Sequence, residues 1–329
     1  MRWQWRIYEE PLQEPLTTAQ GIWRSRSGIY LRLEDEQGQV GYGEIAPLPG
    51  WGSETLNADI ALCEQLPGYL TPEIMATIPE ALPAAQFGFA TAWQSVGRLP
   101  YRVRPWPICA LLGSGQAALE QWQQPWQRGQ TTFKWKVGVL CPEAEQEILK
   151  ALLAALPQGA KLRLDANGGW DVATATHWLT WLDRHGNGKI EYVEQPLPPD
   201  QWQALLSLAQ AVTTAIALDE SVVNAAQLQR WVDRGWPGLF VIKPVLFGPP
   251  EALSLLLRRG LEPQQLVFSS ALEGAIARTA IFHLLETWQP CYALGFGVDR
   301  WRSAPLLTTL AEYDAEWHRL DNYGKTYYK

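Results

Sequence analysis

From about residue 105 to residue 297 the chain repeats one pattern, a short apolar run followed by a helical spacer. No other feature limits the fold so strongly. The runs are PICALL (107–112), TTFKWKV (131–137), KLRLDAN (161–167), IEYVEQPL (190–197), AIALDES (215–221), GLFVIKP (238–244), QLVFSSAL (265–272) and CYALGFG (291–297). Helical periodicity fills the gaps, as in EAEQEILKALLAAL (143–156) and PEALSLLLRRG (250–260). Strands joined by crossover helices pair in parallel. Eight such units over about 190 residues predict a (β/α)-barrel, and an open doubly wound sheet is the alternative with the same local pattern.

The first hundred residues follow another pattern. WQWRIYEE (3–10), GIYLRLED (28–35) and QVGYGEIA (39–46) alternate as strands do, with a turn at Asp35–Gly38 joining the last two. A helix is expected from an N-cap at Ser53 with Glu54 behind it, and another over Pro83–Val96. The chain therefore divides into an α+β capping domain (1–100), a barrel (101–300) and an aromatic-rich segment (301–329) that returns to the cap.

Composition excludes several functions. A net charge of −7 is unsuited to a nucleic-acid binder, whose surface must be basic. No apolar run is long enough to span a membrane, and MRWQWRIYEE lacks the apolar core of a secretion signal. Cys63, Cys109, Cys141 and Cys291 are widely spaced, which predicts reduced thiols in a cytoplasmic protein. The 18 tryptophans are expected to pack cores and amphipathic faces.

Strand parity then locates chemistry. Successive side chains face opposite ways, so Phe133, Trp135 and Val137 share one face and Lys134 and Lys136 the other. In the next strand Leu162 and Leu164 leave Arg163 and Asp165 facing the lysines' side. Later strands end in Glu194, Asp219 and Lys243. From Lys136 the steps are 29, 29, 25 and 24 residues, about one βα unit each. Five successive strands thus bring cation, anion, anion, anion and cation to one rim, where barrels of this kind place their active sites. Three converging carboxylates repel one another unless a cation neutralises them. Without His or Cys beside them, an oxygen-liganded ion such as Mg²⁺ fits better than zinc.

The order K-x-K, D-A-N, E-Q-P, D-E-S and K-P resembles the enolase superfamily, in its muconate-lactonizing-like subgroup. GEIAPLPGWGSET (43–55) and SSALEG (269–274) are similar to the cap loop and seventh-strand motif of one branch of that subgroup. That branch dehydrates a cyclohexadiene carboxylate to an aromatic acid in menaquinone and phylloquinone synthesis. The resemblance implies a modified TIM barrel acting on a small-molecule carboxylate. It assigns Mg²⁺ to Asp165, Glu194 and Asp219, and proton transfer to Lys136. Lys134 would help to keep the pKa of Lys136 low. Lys243 would stay charged across the site, and Asn167, Ser269 and Ser270 would touch substrate. Residues 16–21 and 48–53 would close over the pocket.

Racemases, epimerases and cycloisomerases of the subgroup share these lysines and carboxylates, so N-acylamino acid racemisation is the alternative. Dipeptide epimerases carry D-x-D at the eighth strand, where this chain has Gly295-Phe296-Gly297. A Schiff-base aldolase would leave the three carboxylates without a purpose, and a non-catalytic acid-binding barrel would show no metal-dependent turnover. GYGEIA (41–46) matches a dinucleotide fingerprint, but Pro47 and Pro49 follow where a helix should begin. His177, His185, His283 and His318 have no metal-ligand spacing.

Overall fold

The computed structural model describes residues 1–18, 21–322 and 326–328. The N-terminal unit is a twisted antiparallel sheet. β1 (Arg2–Thr18) pairs with β2 (Gly21–Glu34), and β2 pairs with β3 (Val40–Ile45) across the expected turn. One face buries Trp3, Trp5, Leu31 and Ile45 with Phe87 and Phe89 of the helix Pro83–Ser95. The contact is backbone-close, because a Cβ at Gly43 would collide with the carbonyl oxygen of Gly88.

The other cap helix begins later than expected. Its N-cap is Thr55, whose hydroxyl accepts from the Ala58 amide, and the helix runs Leu56–Gln65. Ser53 is committed elsewhere, since its Oγ accepts the Leu48 amide at 2.7 Å and closes the loop 48–53. Glu54 instead accepts from the Ala84 and Ala85 amides at the start of the second helix.

The barrel strands are β4 (Ala110–Leu111), β5 (Thr132–Lys136), β6 (Lys161–Asp165), β7 (Ile190–Glu194), β8 (Ile216–Leu218), β9 (Leu239–Ile242) and β10 (Leu266–Phe268). They form one parallel sheet in sequence order, joined by helices such as Pro142–Ala155 and Val172–His185. Helix Pro142–Ala155 shows why the sequence folds this way. It buries Ile148, Leu149, Leu152 and Leu153 on one face, at helical spacing.

The eighth expected strand, 291–297, is not one. Single parallel bridges join Ile108 to Leu294 and Ser269 to Gly295, so this segment touches both edges of the sheet and closes the curl. Its glycines give the reason. A Cβ at Gly297 would strike the Cys109 carbonyl, and one at Gly295 would stand 2.7 Å from Ser269 Oγ.

The chain then forms the helix Leu310–His318, and β11 (Thr326–Tyr328) adds to the cap sheet beside β1. Among the described residues no helix is long and apolar enough to cross a membrane. Trp3, Trp5, Trp135, Trp178, Trp288 and Trp317 are fully buried, in keeping with a packing role.

Candidate active site

Parallel pairing in register sets the site. Lys136 lies opposite Asp165, and Asp165 opposite Glu194. Asp219 follows the last residue of β8 and Lys243 the last of β9, so all five charges stand at strand C-terminal ends. Phe133 and Trp135 point the other way and are buried, as parity requires. A cavity of about 640 Å³ opens at this rim. Lys134, Lys136, Asp165, Asp219 and Lys243 line it from the barrel, and Leu16, Trp23, Leu48 and Trp51 line it from the cap. Of the expected cap-loop residues, 19 and 20 lie outside the described residues.

The lysines are in different situations. Lys134 Nζ lies 2.8 Å from both Asp165 Oδ2 and Glu194 Oε1. Burial alone would lower its pKa, but Asp165 and Glu194 outweigh it and hold the ammonium well above its ordinary value. Lys243 Nζ pairs with Asp219 Oδ1 and sits 4.1 Å from the centre of the Trp51 ring, a cation–π contact supplied by the cap. Lys136 Nζ has no hydrogen-bond or ion-pair partner among the described residues.

The carboxylates are crowded. Burial and the neighbouring Asp165 push Glu194 upward against the pull of Lys134. Burial raises Asp219, with Lys243 opposing, and burial and Asp165 together raise Glu220. Glu194 Oε2 is buried without a hydrogen-bond partner among the described residues. An all-oxygen donor set whose members discourage each other's ionisation is what a hard divalent cation relieves. The residues therefore fit Mg²⁺. They do not form a ready cage: among the described residues no three potential ligands converge, and Lys134 and Lys243 hold some of the same oxygens.

Other expected residues fall nearby with different partners. Asn167 lines the cavity in a left-handed backbone conformation (φ 44°), and its amide Nδ2 donates to Glu220 Oε1 at 3.0 Å. Ser269 and Ser270 line the cavity too. The Ser270 hydroxyl is hydrogen-bonded to Glu273 at 2.9 and 3.0 Å and accepts from the Leu272 amide. Ser269 Oγ donates to the Gly295 carbonyl at 3.3 Å. Arg163 is buried, paired with Glu191 at 2.5 Å and set over the Tyr192 ring, so its charge is balanced inside the barrel.

A model of the family "Enolase C-terminal domain-like" matches residues 117–254, and one of "MenC, N-terminal domain" matches residues 3–96. The chain is 90% identical over 321 residues to o-succinylbenzoate synthase of Thermosynechococcus vestitus, covering 98% of this chain and 100% of that protein. The chain belongs to the o-succinylbenzoate synthase family. The crystal structure of o-succinylbenzoate synthase from Thermosynechococcus elongatus BP-1, complexed with Mg in the active site, is similar over 97% of this chain and 100% of that one. Its TM-score is 0.96 at 89% identity. Muconate lactonizing enzyme from Pseudomonas fluorescens shares the fold, with a TM-score of 0.74 at 20% identity over 92% of this chain and 88% of that one. An o-succinylbenzoate synthase is a hydro-lyase, and that is the reaction class of this chain.

Sequence reasoning missed part of this family member's site. Gln195, fully buried and held at φ 37°, accepts the amides of Asp219 and Ser221 on its Oε1. Its Nε2 donates to the Leu197 carbonyl and Ser221 Oγ, so one side chain ties the end of β7 to the loop after β8. Glu145 does similar work after β5, accepting the amides of Gly138, Val139 and Leu140. The Gln of E-Q-P was visible in the sequence; its partners were not. Trp51 over Lys243 left no local signal.

Proposed function

We propose that this o-succinylbenzoate synthase family member carries out its dehydration with Lys136 as the proton carrier. The substrate is 2-succinyl-6-hydroxy-2,4-cyclohexadiene-1-carboxylate, and the product is 2-succinylbenzoate, an intermediate in menaquinone and phylloquinone synthesis. The observation that carries this assignment is Lys136 itself, a lysine without an ion-pair partner among the described residues, on a rim where the other two lysines are paired with carboxylates.

Lys136 Nζ takes the proton on the carbon bearing the ring carboxylate and then gives it to the hydroxyl that departs from the same face. Asp165, Glu194 and Asp219 would hold Mg²⁺, with Gln195 fixing the Asp219 backbone against the end of β7. When bound, Mg²⁺ supplies Lewis-acid stabilisation of the charge that grows on the substrate carboxylate. Lys243 follows the end of β9, four strands round the sheet from β5, and offsets that charge from the opposite side. Lys134 anchors Asp165 and Glu194. Asn167, Ser269 and Ser270 border the substrate, with Ser270 acting through its backbone and its grip on Glu273. Leu48 and Trp51 exclude water from above.

The division into a cap (1–100), a barrel (101–300) and a return segment (301–329) is part of the same reading, as is a cytoplasmic site of action. Four free thiols, two of them exposed, support the latter. The test is turnover of this substrate with and without EDTA, alongside Lys136→Ala. Metal-independent turnover, or an active Lys136→Ala variant, refutes the mechanism. Racemisation of N-succinylamino acids without dehydration moves the assignment to the racemase reading.

A further inference from the structure

The substrate proposed above carries two carboxylates. One is on the ring beside the reacting carbon, and the other ends the flexible succinyl chain. Among the described residues, four cationic side chains line the cavity: Lys134, Lys136, Lys243 and Arg300. The first three belong to the rim cluster, where Lys134 already holds two carboxylates and Lys243 a third. Arg300 stands apart from them. It follows the 294–295 segment that closes the barrel, and its guanidinium is 4.7 Å from the centre of the Trp301 ring.

Its partner is Glu14 of β1, with Arg300 Nη2 at 2.6 Å and Nε at 3.2 Å from the same Oε2. The Arg300 and Glu14 side chains are 51% and 54% exposed, so solvent screens the pair and little is lost when it breaks. The Gln13 amide donates to the Trp301 carbonyl at 2.8 Å, which fixes the backbone on both sides of the pair. A guanidinium stacked on an indole, aimed at a carboxylate it can release, is a preorganised fork for a second carboxylate.

We propose that Arg300 binds the terminal carboxylate of the substrate's succinyl chain, exchanging Glu14 for it. Arg300 therefore sets which chain lengths and end groups the cavity accepts, while the rim cluster handles the ring. The assignment rests on the substrate reading given above, and the following test separates the two.

The probes are 2-succinylbenzoate and 2-butyrylbenzoate, which share the ring carboxylate and the ketone but differ at the chain end, carboxylate against methyl. Calorimetric binding to the Mg²⁺-loaded full chain gives an affinity ratio from which the ring contacts cancel. The wild type is expected to prefer 2-succinylbenzoate by about tenfold or more, as for a charge-assisted pair at a half-exposed site. Arg300→Met should bring the ratio to within about twofold of unity, and Arg300→Lys should recover part of it. In turnover, the loss in Arg300→Met should fall on KM more than on kcat. Glu14→Gln should tighten 2-succinylbenzoate two- to threefold and leave 2-butyrylbenzoate unchanged.

An Arg300→Met variant that keeps the wild-type ratio overturns the proposal. So does a wild type with no preference, or a Glu14→Gln variant that binds 2-succinylbenzoate more weakly. If the wild type dehydrates the substrate and Lys136→Ala does not, these outcomes count against Arg300 alone. If the wild type fails to turn over, the substrate reading fails first.

Discussion

The barrel mouth and the junction between the cap sheet and the helix Ala275–Trp288 both bury charge, and they handle it in opposite ways. At the junction, Glu44 accepts from Tyr8 Oη at 2.7 Å and from the amides of Gly274 and Ala277 at 2.7 and 3.0 Å. Arg26 donates to the carbonyls of Ala46, Pro47 and Ala271, and Arg302 donates to Leu272 while pairing with Glu10. Burial pushes the Glu44 carboxyl up, and Arg302, Tyr8 and two backbone amides pull it back. At the mouth, Glu194 Oε2, Glu220 Oε2 and Asn167 Oδ1 are buried without a partner among the described residues. A network with fixed partners joins two parts of the molecule. Unused acceptors around a cavity are positioned for something that arrives from outside.

The contrast is tested most severely by Lys136→Ala. Turnover should fall about 10³-fold or more while the urea midpoint hardly moves, because the side chain holds nothing together. Substantial unfolding instead would make Lys136 a structural residue. Next comes the metal. EDTA should abolish turnover, and Mg²⁺ should raise the Tm of the wild type but not of Glu194→Gln, through stabilisation by native-state binding. Equal shifts in both proteins would show that the orphaned carboxylate oxygen is not a ligand.

At the junction the expectation reverses. Glu44→Ala leaves Tyr8 and two helix-start amides without their acceptor and should cost about 3 kcal/mol in urea unfolding. Turnover per folded molecule should stay within about twofold, and a large fall would erase the distinction between the two regions.

The Glu54–Asp59 pair lies between these cases. It is buried, and Glu54 Oε2 and both Asp59 oxygens lack an N–H or O–H donor among the described residues. Burial, and then the Glu54 charge, push Asp59 up to about 9, so it keeps its proton at neutral pH. A proton does here what a cation does at the mouth. The folded pKa lies above the ordinary carboxylate value of about 4. The stabilisation is therefore complete below about pH 4 and is lost as pH rises toward 9. Urea midpoints from pH 5 to 9 should slope downward in the wild type and flatten in Asp59→Asn. The smallest effect belongs to the surface. Lys150→Ala, which removes an exposed pair with Glu147, should change stability by no more than about 0.5 kcal/mol.

Strand parity and the interval between charged strand ends made the rim legible, since both are local periodicities that survive whatever the helices between them do. The same reasoning overextended the eighth strand, because CYALGFG has the residue types of a strand, while Gly295 and Gly297 bring its backbone too close to Ser269 and Cys109 for regular pairing. It also put the helix cap at Ser53, where a loop contact with Leu48 claims the hydroxyl.

By itself, the sequence determined which residue types occupy each strand end, which way they face, and that alternating strands and helices bring those ends to one edge of a parallel sheet; closure into a ring came from the structure. Only the tertiary structure decided their partners. Lys134 with Asp165 and Glu194, Trp51 over Lys243, Gln195 on the Asp219 amide, and Glu44 on Gly274 at a separation of 230 residues all arise from closing the chain. Parity is set by each residue's own backbone, whereas a partner across the barrel exists only after long-range pairing has brought it within about 3 Å.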